Sequence, residues 1–562
     1  MPPSPADDIV PAMTWGRVAL AGVLVAVAAA GTAAAAGRTW HPPLTITPHG
    51  AEPGDPSAAA GTGGEALAAF TTTIRGRSRV EARVRDPANA PWVQAVLSGT
   101  FPSAPSPPAA AIEPAGRSVV VWRVPGGAIR SAVRDRPHGD WRVIPVAPGG
   151  AVDEDFGFRG AVATMDGGDR SAALVWAERA AGAWTVRSAR RPTSGAAWAE
   201  TPPLALGPGA TEASLALSPD GTAAAAWTVP SDPGFFATGP VYAAVRSTEG
   251  SWTAVTPLAA AGARIPSAGA GYDGRAAVAW EDRTAATPSV VVAEAGLGTA
   301  WGAPQAVAPG EAPRVAANAS GDLVLSWAGL GTPQATPILA AVKPSGAGWP
   351  AGAQLTPGDG LTWIEASLAR VAIGGTGRAF VAFLDQEGPG SATATLAAAR
   401  FNESWRTTPV RVGGDLFDIG LSASSGGNGL AVLPSESGDG GFLQAADFDS
   451  YARPVVTAGL AGVRRADGTI AWTAVMRNRG RVTAQGVRLS LAICCGTRLL
   501  AARPGGTRSG RIVSWTVPRL ARGRTSTIRL TLRHPPGSTG RLSGSVSAVA
   551  FPPFTVSAVP RR

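Results

Sequence analysis

The chain has 562 residues, 45% hydrophobic and 16% charged, with 72 Gly, 50 Pro and a net charge of +10. That is too apolar for a disordered chain and too heavily punctuated for a mainly helical one. Two Cys exclude a disulfide scaffold and a cysteine zinc site, and the length allows two to four domains, each with its own core.

At the N-terminus, Arg17 precedes an apolar run from Val18 to Ala30 and then small residues up to Gly37. This order predicts a secretory signal peptide over residues 1–36, and so an extracellular or cell-surface protein. Met13 is an alternative start, since residues 1–11 provide no positive segment. The competing reading is an uncleaved anchor, because 18–36 is just long enough to span a bilayer, although much of it is weakly apolar Ala. Membrane contact is expected only in that case.

From 37 to 453 one pattern recurs: an apolar pair, a turn ending in Gly, and a run ending in an aromatic six residues after that Gly. It is plain in Ala110–Trp122, Leu215–Trp227, Ala268–Trp280, Val315–Trp327 and Val371–Phe383, and looser in Ala58–Phe70, Val162–Trp176 and Leu421–Leu433. A spacing of about 50 residues is the length of a propeller blade. Asp220-Gly221 and Asp273-Gly274 supply the positive φ of a tight hairpin between the first two strands of a blade. A third strand is predicted at Val241–Arg246 and at Ser289–Glu294. A fourth opens with a second tryptophan: Trp92, Trp141, Trp198, Trp252, Trp301, Trp349 or Trp405. Seven fourth strands for eight repeats leave one unfilled, and the segment from Trp40 to Thr47 fits it. The N-terminal strand then completes the last blade and closes the ring, leaving no free edge. The region reads as an eight-bladed β-propeller, with seven blades as the alternative because Ala58–Phe70 is weak.

From 454 to 552 the pattern becomes strict alternation. Val487, Leu489, Leu491 and Ile493 share one face, and Ile528, Leu530 and Leu532 alternate with Arg529, Thr531 and Arg533. These are half-buried strands of an all-β sandwich, followed by a tail at 553–562. Residues 455–562 hold 18 Arg and a single acid, Asp467, for a net +17, whereas 37–454 are net −6. The basicity thus belongs to the C-terminal region. The outward Arg residues read first as a solvated face shaped by codon bias; the competing reading is a surface that binds a polyanionic cell-wall polymer, nucleic acid or the acidic propeller itself. Nucleic acid is not expected, because an exported protein rarely meets it and aromatic residues for stacking are sparse.

Two resemblances attach to these residues. Pro313-Arg314-Val315-Ala316 through Gly321 to Trp327 resembles the tandem repeats of exported actinobacterial β-propeller proteins, often labelled sialidase-like. Asn478-Arg479-Gly480, Ala484, Val487, Trp515, Leu520 and Gly523 resemble bacterial immunoglobulin-like repeats of surface and adhesion-related proteins. The first implies fold more than activity; the second implies a spacer or binding module.

Other motifs carry little. Gly269-Ala270-Gly271-Tyr272-Asp273-Gly274 matches a dinucleotide fingerprint as a string, but a strand follows where a helix is required. Adjacent Cys494 and Cys495 are read as two thiols or an intermolecular bond, with a strained vicinal disulfide as the alternative. His41, His49, His138 and His534 show no metal spacing and are expected to be exposed. Asp153-Glu154-Asp155, and Asp447 with Asp449, are fragments of an acidic calcium loop and read better as solvated turns. No cofactor or metal site is expected.

A propeller's pocket lining begins just before the first strand of each blade, where Arg159, Glu212, Arg314, Arg370 and Asp418 stand. A glycosidase needs two carboxylates, or a Tyr with an acid, converging there. Sialidase-like enzymes also clamp a substrate carboxylate with three Arg, but the Ser-x-Asp-x-Gly-x-x-Trp turn of that family is only partly matched by Ser218-Pro219-Asp220-Gly221. The sequence therefore favours a secreted, non-catalytic propeller that binds a protein or glycan partner, with the basic sandwich contacting the envelope. The alternative is a sialidase-like glycoside hydrolase working in the central pocket.

Overall fold

The computed structural model describes residues 39–561 apart from short stretches, the longest being 148–158, 165–171, 231–237, 357–368, 413–417, 449–455 and 479–483. The expected signal peptide, Asp153-Glu154-Asp155, Asp449 and Cys495 all lie outside the described residues. Those described form an all-β, β-propeller-like array and then a two-sheet sandwich, with no α-helix among them.

Each repeat folds as an antiparallel meander. The hairpin glycines Gly64, Gly116, Gly221, Gly274, Gly321, Gly377 and Gly427 all have φ between +72° and +98°, a region that a side chain with a Cβ rarely enters. The aromatic or leucine six residues later is buried in each of these repeats, from Phe70 and Trp122 to Phe383 and Leu433, and so is Trp176, which ends the one repeat with two extra residues. The first strands, which include Ser57–Ala60, Ala109–Ile112, Arg159–Thr164, Thr211–Leu217, Glu311–Ala317, Arg370–Ile373 and Gly420–Ala423, touch one another in chain order, and the last touches the first. The N-terminal strand Leu44–Thr45 pairs with Gly440–Asp447, and Trp40 bridges Phe448, so the two ends of the region share one sheet.

One sheet departs from the expected four strands. Thr256–Ala270 runs for 15 residues and belongs to two meanders, joining them into a seven-stranded sheet. Its outer half pairs with Gly239–Arg246 and its inner half with Ala276–Asp282. Gly262 and Ile265 both have positive φ, and the pairing with Ala276–Asp282 shifts register between Arg264 and Ser267 as the strand passes from one meander to the next. The glycines of the fingerprint-like string have a packing role: a Cβ on Gly269 would come within about 3.0 Å of the Ala317 backbone, and one on Gly271 within 2.6 Å of the Asn318 carbonyl. Glycine lets neighbouring meanders close up.

A ladder of ion pairs, each with a buried cation, ties neighbouring meanders together. Arg85 makes a bidentate bond to Asp447 at 2.7 and 2.9 Å, across 362 residues of sequence, with both side chains nearly inaccessible. Arg134 pairs with Asp86, Arg191 with Asp135 at 3.2 Å, and Lys343 with Glu294 at 2.9 Å. Arg85, Arg134 and Lys343 also lie 5.1, 5.6 and 5.8 Å from the ring centres of Trp92, Trp141 and Trp349. Arg85, Arg134 and Lys343 therefore each have an acid from the preceding meander and a tryptophan from their own. Asp447, expected in a solvated turn, is instead the buried acid that closes the circuit.

The C-terminal strands form two sheets. One contains Val456–Arg464, Thr469–Asn478, Thr525–Arg533 and Arg498–Arg503; the other runs from Thr507–Ser509 through Ile512–Leu520, Ala484–Ala492 and Leu542–Ala548 to Phe551–Ala558. Their facing residues, including Trp472, Leu489, Leu491, Trp515, Leu530 and Leu532, pack into a single core, as the alternation requires. His534 departs from expectation. It is buried, with Nδ1 3.1 Å from Thr497 Oγ1 and 3.7 Å from the sulfur of exposed Cys494. Removal from water, and secondarily the charge of Arg464, hold its imidazole below its ordinary pKa. His41 is half-buried, while His49 and His138 are exposed as expected.

Candidate functional site

The first strands of a closed array carry one unpaired edge each, and serines of one meander cap the next. Ser57 Oγ accepts from the Ala110 amide at 3.1 Å, Ser214 from Ala268 at 3.0 Å, and Ser267 from Val315 at 3.0 Å. Each of these serines directly precedes the apolar pair of its repeat. Arg314 and Arg370 occupy the same register position in their repeats, so two meanders carry a long cation where others carry a hydroxyl. Two positions further back, the same register holds Asp55, Arg159, Glu212 and Asp418.

The structure brings two of the five expected residues into contact. Arg370 Nη2 lies 2.5 Å from Asp418 Oδ1, and both remain about a quarter to a third exposed. They line a cavity of about 290 Å³ with Asp55, Pro56, Ser57, Pro108 and Leu421. Asp418 also accepts the Ile419 amide at 2.7 Å. Burial pushes its carboxyl above the usual range and the nearby Asp55 charge adds to that, while Arg370 and the Ile419 amide oppose it. The site is a half-buried carboxylate between a guanidinium and a second carboxylate, a mixed donor and acceptor set of the kind that orients hydroxyl-rich ligands.

The remaining three are placed differently. Arg314 lies within Glu311–Ala317, directs Nη1 to the Pro313 carbonyl at 3.2 Å, and is not among the residues lining this cavity. Arg159 opens its strand opposite Ala177, and Glu212 lies in Thr211–Leu217; their side chains lie outside the described residues. Asp55 was missed, although it stands in register with Asp418. Its repeat is the one with the weakest hairpin signal, and that hid the alignment.

At the opposite end of the first strands, a second cavity of about 270 Å³ is lined by every repeat. Its walls are mainly Ala, Ser and Gly, with Glu113, Tyr272 and Asn318 as the larger polar groups. Glu113 is paired to Arg117 at 2.6 Å, and Asn318 donates to Asp322 and to the Gly374 carbonyl. The sialidase-like turn at Ser218 is likewise engaged in structure: Asp220 accepts the Thr222 amide at 2.8 Å and the Asp273 amide of the next repeat at 2.7 Å. That carboxylate joins neighbouring hairpins.

No protein-family model matches the chain, and no curated protein matches it. Solved structures to which it is similar include the BP39L lectin from Burkholderia pseudomallei, at 15% identity and a TM-score of 0.42, covering 64% of this chain and 99% of the lectin. A polysaccharide lyase of a new family, an ulvan lyase, is 11% identical with a TM-score of 0.39, covering 72% of this chain and 93% of the lyase. A protein of unknown function from Dyadobacter fermentans is 11% identical with a TM-score of 0.34, over 74% and 99% of the two chains. Likenesses this distant carry no argument about ligand or activity, so the all-β, propeller-like fold rests on the sheet topology of the chain itself.

Proposed function

We propose that this is an exported or cell-surface recognition protein: an eight-bladed propeller that binds a glycan or protein without catalysis, followed by an immunoglobulin-like basic sandwich that contacts an anionic envelope. The eight-blade count is supported by taking Thr256–Ala270 once for each of the two meanders it serves. The observation that carries the binding reading is the Arg370–Asp418 ion pair beside Asp55. Arg370 already has a carboxylate partner in the protein, which suits a site that hydrogen-bonds hydroxyls better than one that clamps a substrate carboxylate with three free arginines. A glycan array beside a broad chromogenic glycoside panel, with residues 37–562, tests this. Binding that Asp418→Asn and Arg370→Gln each weaken at least tenfold, without turnover, is expected; binding unchanged in both variants rejects the site.

A hydrolase reading is favoured by one observation, the raised pKa of Asp418 beside Asp55, which is the environment of a general acid next to a second carboxylate. Turnover of any glycoside that falls at least a hundredfold in both Asp418→Asn and Asp55→Asn would replace the binding reading with this one.

A further inference from the structure

Strand register singles out one basic surface in the sandwich. All fourteen described arginines in 455–562 are exposed, but only some face each other. In the pairing of Arg498–Arg503 with Thr525–Arg533, Arg498 stands directly opposite Arg533 and Arg503 directly opposite Arg529. Leu530 and Leu532, which alternate with them, point into the core. Opposed residues have Cβ atoms about 5 Å apart, and positions 529 and 533 lie about 13 Å apart along one face. Two like-charged cross-strand pairs thus form a small rectangle, an arrangement that weakens a sheet.

Nothing nearby neutralises it in full. Asp467, the sole acid of this region, is held by the amide and hydroxyl of Thr469 at 3.0 and 2.6 Å and feels Arg465 and Arg533. Among the described residues Arg498, Arg503 and Arg529 make no ion pair. Thr527 and Thr531 share the face, and the tryptophans of the sandwich, Trp472 and Trp515, are buried, so the surface offers charge and hydroxyls but no ring for stacking on a sugar or base.

We propose that these four arginines are a docking surface for a linear, phosphate-bearing polyanion. The proposal rests on the reading that the sandwich contacts an anionic partner, and adds the site and the chemistry. The two oxygens of a carboxylate lie in one plane that a single bidentate fork fills, whereas the two non-bridging oxygens on a tetrahedral phosphorus accept from outside that plane as well, so two guanidinium groups can approach one phosphate from different sides. Paired forks therefore suit phosphate, and the second pair along the strand takes a later group of the same chain.

The test compares the full chain with a fourfold variant, Arg498→Gln, Arg503→Gln, Arg529→Gln and Arg533→Gln. A control variant, Arg488→Gln, Arg511→Gln, Arg519→Gln and Arg541→Gln, removes the same charge elsewhere. Binding of long-chain inorganic polyphosphate and of poly-L-glutamate is measured across salt concentration. The fourfold variant is expected to lose at least tenfold in polyphosphate affinity, and the slope of log K against log salt should fall by about 3, near 0.7 per lost contact. The control should lose less than threefold, and polyglutamate should bind at least tenfold more weakly than polyphosphate. The fourfold variant should melt no lower than the parent, since repulsive pairs are removed; a lower melting point overturns the claim that the pairs oppose the fold. Equal losses in the two variants overturn this surface but leave the envelope reading in place. Polyglutamate binding as tightly as polyphosphate overturns the phosphate assignment, and failure of the parent to bind either polymer at low salt overturns both readings.

Discussion

Arginine does opposite work in the two regions. In the propeller-like array Arg85, Arg134 and Arg191 are buried, each matched to an aspartate of the preceding meander. In the sandwich the described arginines lie on the surface, with one acid for the whole region. The difference teaches that charge count says little about what a charge does. A guanidinium taken out of water needs a fixed partner and then locks two elements together, whereas one left in water contributes mainly to a long-range field.

The sharpest way to break this comparison is to remove a buried partner. Asp447→Ala leaves Arg85 buried without its carboxylate at the point where the chain ends meet, so we expect a loss of about 3–5 kcal/mol, read from the shift in the denaturant midpoint. Arg529→Ala in the sandwich should change the midpoint by less than about 0.5 kcal/mol, as exposed substitutions do. Comparable effects at the two sites would mean that the buried pairs hold nothing together. Next in size are the serine caps between meanders. Ser267→Ala deprives the Val315 amide of its acceptor and should cost about 1 kcal/mol in the same assay.

The smallest effects concern pH, and they have opposite signs in the two regions. Asp418 is held above its ordinary value of 3.8, so the folded state binds that proton more tightly than the unfolded chain. Its contribution to stability falls as pH rises through 3.8 toward the raised folded value. His534 is held below its ordinary 6.5, so the unfolded chain binds the proton more tightly and stability falls as pH drops below 6.5. Thermal melts across pH should therefore flatten on the acid side of 6.5 in His534→Gln, and just above 3.8 in Asp418→Asn. A slope that either variant leaves unchanged would assign that pH dependence to other groups.

Much of the fold was legible because its causes are local. The hairpin glycines take positive φ in the seven repeats where they are described, and the residue six positions on is buried in each of those, since a four-stranded meander fixes both positions relative to the turn. Alternation in Val487–Ile493 and Ile528–Leu532 likewise identified the inward faces of the sandwich. The continuous strand Thr256–Ala270 was not legible, because whether a chain breaks or twists between two sheets depends on what it packs against. The site was half legible. Register marked Arg370 and Asp418 as neighbours of the pocket, but their ion pair depends on how two consecutive meanders pack, and the part played by Asp55 depends on ring closure, which brings it beside residues more than 300 positions away.

By itself, then, the sequence determined the repeat, its turns, the strand that closes the array, and the segregation of positive charge into the C-terminal sheets, because each follows from spacing and residue type along the chain. Tertiary structure alone decided which charges meet. Asp447 reaches Arg85, Asp418 reaches Arg370, and Arg498 faces Arg533, because pairing across a ring or between strands is set by register, and register is fixed only when the apolar faces have packed.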